Sequence, residues 1–166
     1  VAVGLVEGLS WEQIAAGLMA QGHGLRLVPR TGRNGVRILD DSYNASPASV
    51  KAALDVLAEM PGRRVAVLGD MLELGALEET GHRQVGKHCF GRVDYLVAVG
   101  SRARLLAEAA IEAGLPISQV QQVASAVEAV QALADVVQMG DVVLVKGSHS
   151  VGLEICVEAL EASTCG

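Results

Sequence analysis

Two short runs of the sequence, 65–68 and 142–145, consist entirely of valine, alanine and leucine. A strand with one solvated face alternates apolar and polar residues, whereas a continuously apolar strand must be covered on both faces, as in a parallel sheet. Strand-like runs alternate along the chain with segments of helical periodicity. The sequence therefore predicts an α/β domain with an open, mostly parallel sheet and helices on both faces.

The predicted elements follow one another in regular βα order. A hairpin comes first, with its turn at Asn34-Gly35, because both residues tolerate positive φ. Its strands are expected at 25–30 and 36–40, and the later strands at 64–68, 95–99, 119–123 and 142–145. Helices are expected at 47–60, 78–90, 103–113, 126–137 and 151–160.

The amino-terminal segment is predicted to be a separate unit. Residues 1–24 are assigned to a helix and a linker, and residues 25–166 to the α/β domain. Ser10 and Gln13 stand at the spacing of a capping box, and Gly22 and Gly24 end the helical pattern that follows. The chain starts without Met and in mid-pattern, so we interpret it as a piece of a longer protein.

The composition narrows the class of protein. Apolar residues make up 51% of the chain and aromatic residues only 2%, so the core must be built from Ala, Val, Leu and Ile. A formal net charge of -6 disfavours nucleic acid as a partner. No apolar run approaches the ~20 residues of a membrane helix, so no membrane partner is expected. Three widely spaced cysteines without a CxxC pair are typical of a reduced, cytoplasmic protein without structural zinc.

Polar or glycine-rich segments follow four of the predicted strands, at 40–47, 69–75, 100–102 and 146–150. Because parallel strands end at one edge of a sheet, these segments should converge where open α/β sheets bind ligands. In the first, a carboxylate suits ribose hydroxyls and an amide suits a base or peptide edge. A helix cap with a surface turn also accounts for Ser46 and Pro47, but not for Tyr43 and Asn44.

The last segment places Lys146 at a strand end, ahead of Gly147 and Ser148. An ammonium, a hydroxyl and backbone N–H groups would then converge on a site the size of one anion. An exposed lysine and an ordinary helix cap are the alternative. His149 in the same loop is a candidate ligand contact. In the second segment, Asp70 and Glu73 suit a cation or an amine, but acidic surface turns are common, and we favour that explanation.

No catalytic residue and no metal site is predicted. His82 and His88 lie six residues apart on one predicted helix and face different directions, so they are poor joint ligands. Gly86-Lys87 resembles the end of a phosphate-binding loop but lacks the preceding Gly and the following Ser or Thr.

Four motifs occur along the chain in this order: Asp40-Asp41-Ser42-Tyr43-Asn44-Ala45-Ser46-Pro47, Gly69-Asp70-Met71-Leu72-Glu73-Leu74-Gly75, His82 with Val85-Gly86, and Val145-Lys146-Gly147-Ser148. Together these motifs resemble one family, the Mur ligases of peptidoglycan synthesis, and among them the ligases that add D-alanyl-D-alanine to UDP-N-acetylmuramoyl-tripeptide. They cover the chain from about residue 25 to its end. Ser46 stands where the family often has Asn, and both residues can cap a helix.

The resemblance implies a Rossmann-like carboxy-terminal domain, with residues 1–24 as the tail of a central ATPase domain. In this family ATP phosphorylates the peptide carboxylate, and the amine of D-alanyl-D-alanine attacks the acyl phosphate. The resemblance implies that Asp41 contacts the ATP ribose, with Arg26, Tyr43 and Asn44 beside the nucleotide. It also implies that Lys146, Ser148 and His149 line the dipeptide pocket. ATP, Mg²⁺ and the UDP-linked tripeptide would be held mainly by other domains, so this chain alone is expected to be inactive.

Two other functions remain open at this point. A stand-alone Rossmann-type module for a nucleotide or small molecule would need its own phosphate loop or a GxGxxG motif, and the sequence contains neither. A structural domain without a ligand would leave the four polar strand ends unexplained.

Overall fold

The computed structural model describes Ser10, Gln13 and residues 27–162. It contains a six-stranded sheet in the order β1-β2-β6-β3-β4-β5. The strands are β1 (Val28–Thr31), β2 (Arg37–Asp41), β3 (Arg64–Gly69), β4 (Tyr95–Val99), β5 (Val120–Val123) and β6 (Val142–Lys146). The helices are α1 (Pro47–Ala58), α2 (Glu78–Cys89), α3 (Ala103–Glu112), α4 (Ala126–Val136) and α5 (Glu154–Glu161). The predicted fold class is confirmed.

The sheet is parallel except at its first edge. β1 and β2 form the predicted antiparallel hairpin, whereas the β2–β6, β6–β3, β3–β4 and β4–β5 pairs are all parallel. In the hairpin turn, Asn34 and Gly35 have φ angles of 54° and 72°, as their residue types predict. The connection is longer than a two-residue turn, since β1 ends at Thr31 and β2 begins at Arg37. Within it, Gly32 N–H donates to the Val36 carbonyl across 2.7 Å.

Helices cover both faces of the sheet, and alternate residues of each strand supply the two cores. Leu39, Leu68 and Leu144 point towards α1, α2 and α3, in one apolar cluster. Val67 and Val145 point the other way, towards α4 and α5, in a second cluster. Each fully buried aliphatic side chain contributes about 1.5–3 kcal/mol to stability. This burial on both faces explains why the central strands are continuously apolar.

Gly86 allows two of these helices to approach closely. A Cβ atom at this position of α2 would lie 2.1 Å from the Leu106 carbonyl oxygen of α3 and 2.9 Å from Ala109 Cβ. Any side chain would therefore force α2 and α3 apart. The packing of these two helices therefore accounts for the glycine at position 86.

Two predicted boundaries shift at the end of the domain. The helix expected at 151–160 begins only at Glu154, because His149–Val151 form a separate 3-10 turn that ends at Gly152 with a φ of 75°. The last strand extends by one residue and includes Lys146. The lysine is therefore fixed in the sheet rather than in the loop.

Little of the amino-terminal segment lies within the described residues. The capping box is present: Ser10 N–H donates to Gln13 Oε1 over 2.7 Å, and Gln13 N–H donates to Ser10 Oγ over 3.4 Å. The rest of the predicted helix and linker, and Arg26, lie outside the described residues. Among the helices of the described chain, none is long and apolar enough to cross a bilayer.

Candidate functional site

The polar segments after the strands meet at the carboxyl edge of the sheet, as predicted. Asp41 at the end of β2 pairs in register with Lys146 of β6, and Lys146 pairs with Leu68 of β3. Gly69 at the end of β3 is in register with Val99 of β4. Strand pairing thus brings together segments that are more than 100 residues apart in the chain, since 105 residues separate Asp41 from Lys146.

Lys146 and Asp41 form a buried ion pair at this edge. Lys146 Nζ donates to Asp41 Oδ2 across 2.5 Å and to the Asn44 carbonyl across 2.7 Å. Only 2% of Lys146 and 5% of Asp41 are exposed. Burial lowers the pKa of the Lys146 ammonium, and Asp41 only partly opposes this shift. Two residues predicted to meet different ligands are therefore bound to each other in the domain.

Asp40 has a different role from its neighbour, because successive residues of a strand point to opposite faces. Its Oδ1 accepts from the Ser42 N–H at 3.1 Å and from the Ser42 hydroxyl at 2.8 Å. Its Oδ2 accepts from Arg30 Nε at 2.9 Å. Asp40 closes the turn and ties it to the hairpin, which leaves Asp41 as the carboxylate that faces the loop of residues 146–150.

The predicted cap explains only the second half of the first segment. Ser46 and Ser49 exchange hydrogen bonds in a capping box, and Pro47 is the first residue of α1. Asn44 Oδ1 accepts from the Ala45 N–H at 2.8 Å. Tyr43, by contrast, is 56% exposed, and its ring centroid lies 5.3 Å from that of His149. The exposed aromatic side chain is the part of this segment that a helix cap does not require.

A cleft of about 320 Å³ opens between the segments at 40–47, 69–75 and 146–150, and we call it the edge cleft. Its lining residues come from the ends of β2, β3 and β6 and are Tyr43, Asn44, Leu72, Glu73, Ser148, His149 and Ser150. Four of the residues predicted to bind ligands, Tyr43, Asn44, Ser148 and His149, are among them. The buried Lys146–Asp41 pair is not in this lining but holds the Asn44 carbonyl beside it.

A comparison with protein families assigns the domain. The sequence profile of the family described as 'Mur ligase, glutamate ligase domain' matches residues 25–149 of the chain. The chain belongs to the Mur ligase family. The resemblance inferred from the four motifs is confirmed.

Several individual Mur ligases are similar to the chain. The UDP-N-acetylmuramoyl-tripeptide–D-alanyl-D-alanine ligase of Bacillus subtilis is 34% identical over 164 residues, which are 96% of this chain and 36% of the relative. The ligase of the same name from Escherichia coli is 41% identical over 130 residues, 77% of this chain and 28% of the relative. A MurF crystal structure from Acinetobacter baumannii has a TM-score of 0.72 at 32% identity and covers 95% of this chain. The chain spans about a third of the length of these proteins.

In this Mur ligase domain, two buried side chains fix the loop between β3 and α2. His82 Nε2 accepts from the Met71 N–H at 3.0 Å, so the ring proton is on Nδ1, which donates to the Glu78 carbonyl at 2.8 Å. Ser148, 7% exposed, accepts from the Leu72 N–H at 2.9 Å through its hydroxyl oxygen. His82 and Ser148, from two different motifs, therefore both bind the backbone of the motif at residues 69–75.

Asp70 is a buried helix cap of the Mur ligase domain, and the explanation as an acidic surface turn is wrong. Its Oδ1 accepts from the N–H groups of Arg102 and Ala103 at 3.0 and 2.7 Å. These are the first donors of α3, which otherwise lacks a side-chain cap. No local pattern of residues indicates this cap, because Asp70 lies 33 positions before Ala103 in the chain.

A second cleft of about 600 Å³ lies beyond the ends of β3, β4 and β5. Its walls include Gly100, Arg102, Gln122, Ser125 and Glu128. The segment after β4 is predicted to reach the binding edge, but no prediction covers the end of β5 and the segment that follows it, because Gln122 and Ser125 belong to no motif. Among the described residues, no group of three or more His, Cys, Asp or Glu side chains is arranged to hold a metal ion.

Proposed function

We propose that the chain is the carboxy-terminal domain of an ATP-dependent ligase that adds D-alanyl-D-alanine to UDP-N-acetylmuramoyl-tripeptide. The names of the curated relatives support this activity. Within the domain itself, the observation that carries this proposal is the edge cleft. The segment assigned to the nucleotide and the segment assigned to the dipeptide both line this cleft. A ligase must bring these two substrates together, because the amine attacks the carboxyl group that ATP has activated.

Tyr43 and Asn44 are the residues of this chain that we assign to the nucleotide. The exposed ring of Tyr43 offers a flat surface for an adenine base, and the Asn44 amide can pair with a base or ribose. Arg26 is assigned to the same ligand by resemblance. The ribose contact of Asp41 stays a prediction, and the burial of Asp41 favours a role in fixing the loop that carries Tyr43 and Asn44.

Ser148 and His149 are assigned to the dipeptide side of the cleft. His149 is exposed beside Tyr43, where an imidazole can donate to a carboxylate or a carbonyl oxygen. The dipeptide contact of Lys146 likewise stays a prediction. Its ammonium already bonds Asp41 and the Asn44 carbonyl, so its loss should affect both substrates.

We place the phosphates of ATP, Mg²⁺ and the UDP-linked tripeptide mainly on the parts of the enzyme that correspond to the other two-thirds of the relatives. Phosphoryl transfer depends on positioning the β- and γ-phosphates with a metal ion. We also propose that the reaction takes place in the cytoplasm. The free thiols of Cys89 and Cys156 fit a reducing compartment.

The test is an assay of the complete protein that contains this chain. With ATP, Mg²⁺, UDP-N-acetylmuramoyl-tripeptide and D-alanyl-D-alanine, mass spectrometry should detect the pentapeptide product, with one phosphate released per amide bond. Omission of the dipeptide should abolish the product. Product formation with single amino acids but not with the dipeptide would assign the protein to another branch of the family.

A pair of variants connects the activity to the edge cleft. Tyr43→Ala should raise the KM for ATP, whereas Glu59→Gln, an exposed change just after α1, should leave all three substrate KM values unchanged. If Tyr43→Ala also leaves them unchanged, the nucleotide does not use this wall.

A further inference from the structure

Glu73 has an unusual backbone conformation for its residue type. Its φ angle is 62°, in the left-handed region that the Cβ atom of an L-residue disfavours. Among the described residues, only Asn34 is a second non-glycine residue with positive φ. Asn34 lies in a hairpin turn, where asparagine tolerates this region, but glutamate has no such tendency. A strained residue in a loop at a cleft is a reason to look for a function.

The loop around Glu73 is held from both sides. The two preceding N–H groups, of Met71 and Leu72, donate to His82 Nε2 and to Ser148 Oγ. On the other side, the Leu77 N–H donates to the Leu74 carbonyl at 3.1 Å and closes the next turn. Hydrogen bonds therefore hold the backbone on both sides of Glu73.

The side chain that this conformation presents is charged and available. Glu73 is exposed, and its carboxylate makes no hydrogen bond or ion pair with any other described residue. It is the single carboxylate among the described residues that line the edge cleft. Beneath the lining, the charges of Lys146 and Asp41 offset each other. The Glu73 wall of the cleft is therefore negative, which favours an ammonium group and disfavours a phosphate.

We propose that Glu73 binds the ammonium group of the incoming amine substrate and selects substrates with a free α-amine. The proposal rests on the proposed ligase function, which requires a zwitterionic dipeptide next to an activated carboxyl group. Tyr43 and Asn44 can meet the uncharged base and ribose in the same cleft, whereas the triphosphate must lie away from Glu73. His82 and Ser148 are then positioning residues for Glu73, since they fix the backbone that presents it.

The test uses the complete enzyme with two variants of this residue. Glu73→Gln removes the charge at nearly constant size, and Glu73→Gly also removes the strain, because glycine adopts positive φ freely. Both should raise the KM for D-alanyl-D-alanine by about tenfold to a hundredfold, the effect of losing one charge-assisted hydrogen bond. The KM for ATP should change less than twofold. Glu73→Gly should unfold at the same temperature as the parent or a higher one.

A substrate analogue separates ammonium binding from a structural effect. D-Lactyl-D-alanine carries a hydroxyl in place of the ammonium, so its inhibition constant against the dipeptide should be unchanged in both variants. If Glu73→Gly keeps the parental KM for the dipeptide, or if the analogue is weakened as much as the dipeptide, the proposal is refuted. Failure of the parent enzyme to use the dipeptide at all would instead refute the ligase function on which the proposal rests.

Discussion

Replacement of Lys146 by methionine tests how much the domain depends on its buried ion pair. Methionine matches the length of the lysine stem but donates no hydrogen bond, so the Asp41 carboxylate stays buried without its cation and the Asn44 carbonyl loses its donor. Removing one partner of a buried pair costs about 3–5 kcal/mol. For a domain of this size, 1 kcal/mol shifts the unfolding temperature by roughly 2–4 °C, so we expect a loss of about 6–20 °C.

The assays are thermal unfolding and urea unfolding of the 166-residue chain, both followed by circular dichroism, with Lys87→Met as the matched control. Lys87 is an exposed lysine of α2, and its replacement should change the free energy of unfolding by less than about 0.5 kcal/mol. The double variant Asp41→Leu/Lys146→Met removes both charges, so it should be more stable than Lys146→Met alone. A Lys146→Met variant within about 1 kcal/mol of the parent, or a double variant as unstable as the sum of the two single variants, would refute the reasoning.

Four further predictions concern the same domain. Asp70→Ala should lower the free energy of unfolding in urea by about 1–2 kcal/mol, because α3 loses its cap. Asp70→Asn keeps an acceptor oxygen for the same N–H groups and should retain most of the stability of the parent. Ser148→Ala leaves the Leu72 N–H without its acceptor and should cost about 1–3 kcal/mol, while Ser150→Ala, at an exposed position, should be neutral. Burial raises the pKa of the Cys89 thiol to about 12 from an ordinary value of 9.0, so the folded state keeps a proton that the unfolded state loses. The stability this provides is complete below pH 9 and is lost above it by about 1.4 kcal/mol per pH unit, so the stability gap between the parent and Cys89→Ala should shrink by about 2 kcal/mol between pH 9 and pH 10.5. Finally, the chain alone should release no phosphate with all substrates present, and calorimetry should find no tight ATP site, whereas turnover by the chain would place the phosphate site within it.

The elements of the fold could be predicted because their signals are local. Ser46 and Pro47 mark the start of α1, and Asn34-Gly35 marks the hairpin, each within a few residues of the structure it determines. The continuous apolar runs of β3 and β6 predict burial on both faces, and both lie in the middle of the sheet.

The order of the strands and the contacts of the site could not be predicted in the same way. Nothing in the composition of β6 indicates that it lies between β2 and β3, yet this position alone brings Lys146 to Asp41. Sequence reasoning therefore selected both residues but assigned them to separate ligands. The same limit applies to Asp70, which caps a helix far from it in the chain. It also applies to Glu73, which follows two residues whose N–H groups are bound by His82 and Ser148, far from them in the chain.

The central position of β6 also determines when the domain can be completed during synthesis. On the ribosome, β2 and β3 emerge early but have a vacant place between them until residues 142–146 appear. Until then both strands carry unpaired backbone groups on the sides that will face each other, which leaves two edges open to non-native pairing. A chain terminated before Lys146 would lack both the middle of its sheet and the cation opposite Asp41. We therefore expect a product that ends before Lys146 to be degraded by proteases more readily than the complete domain.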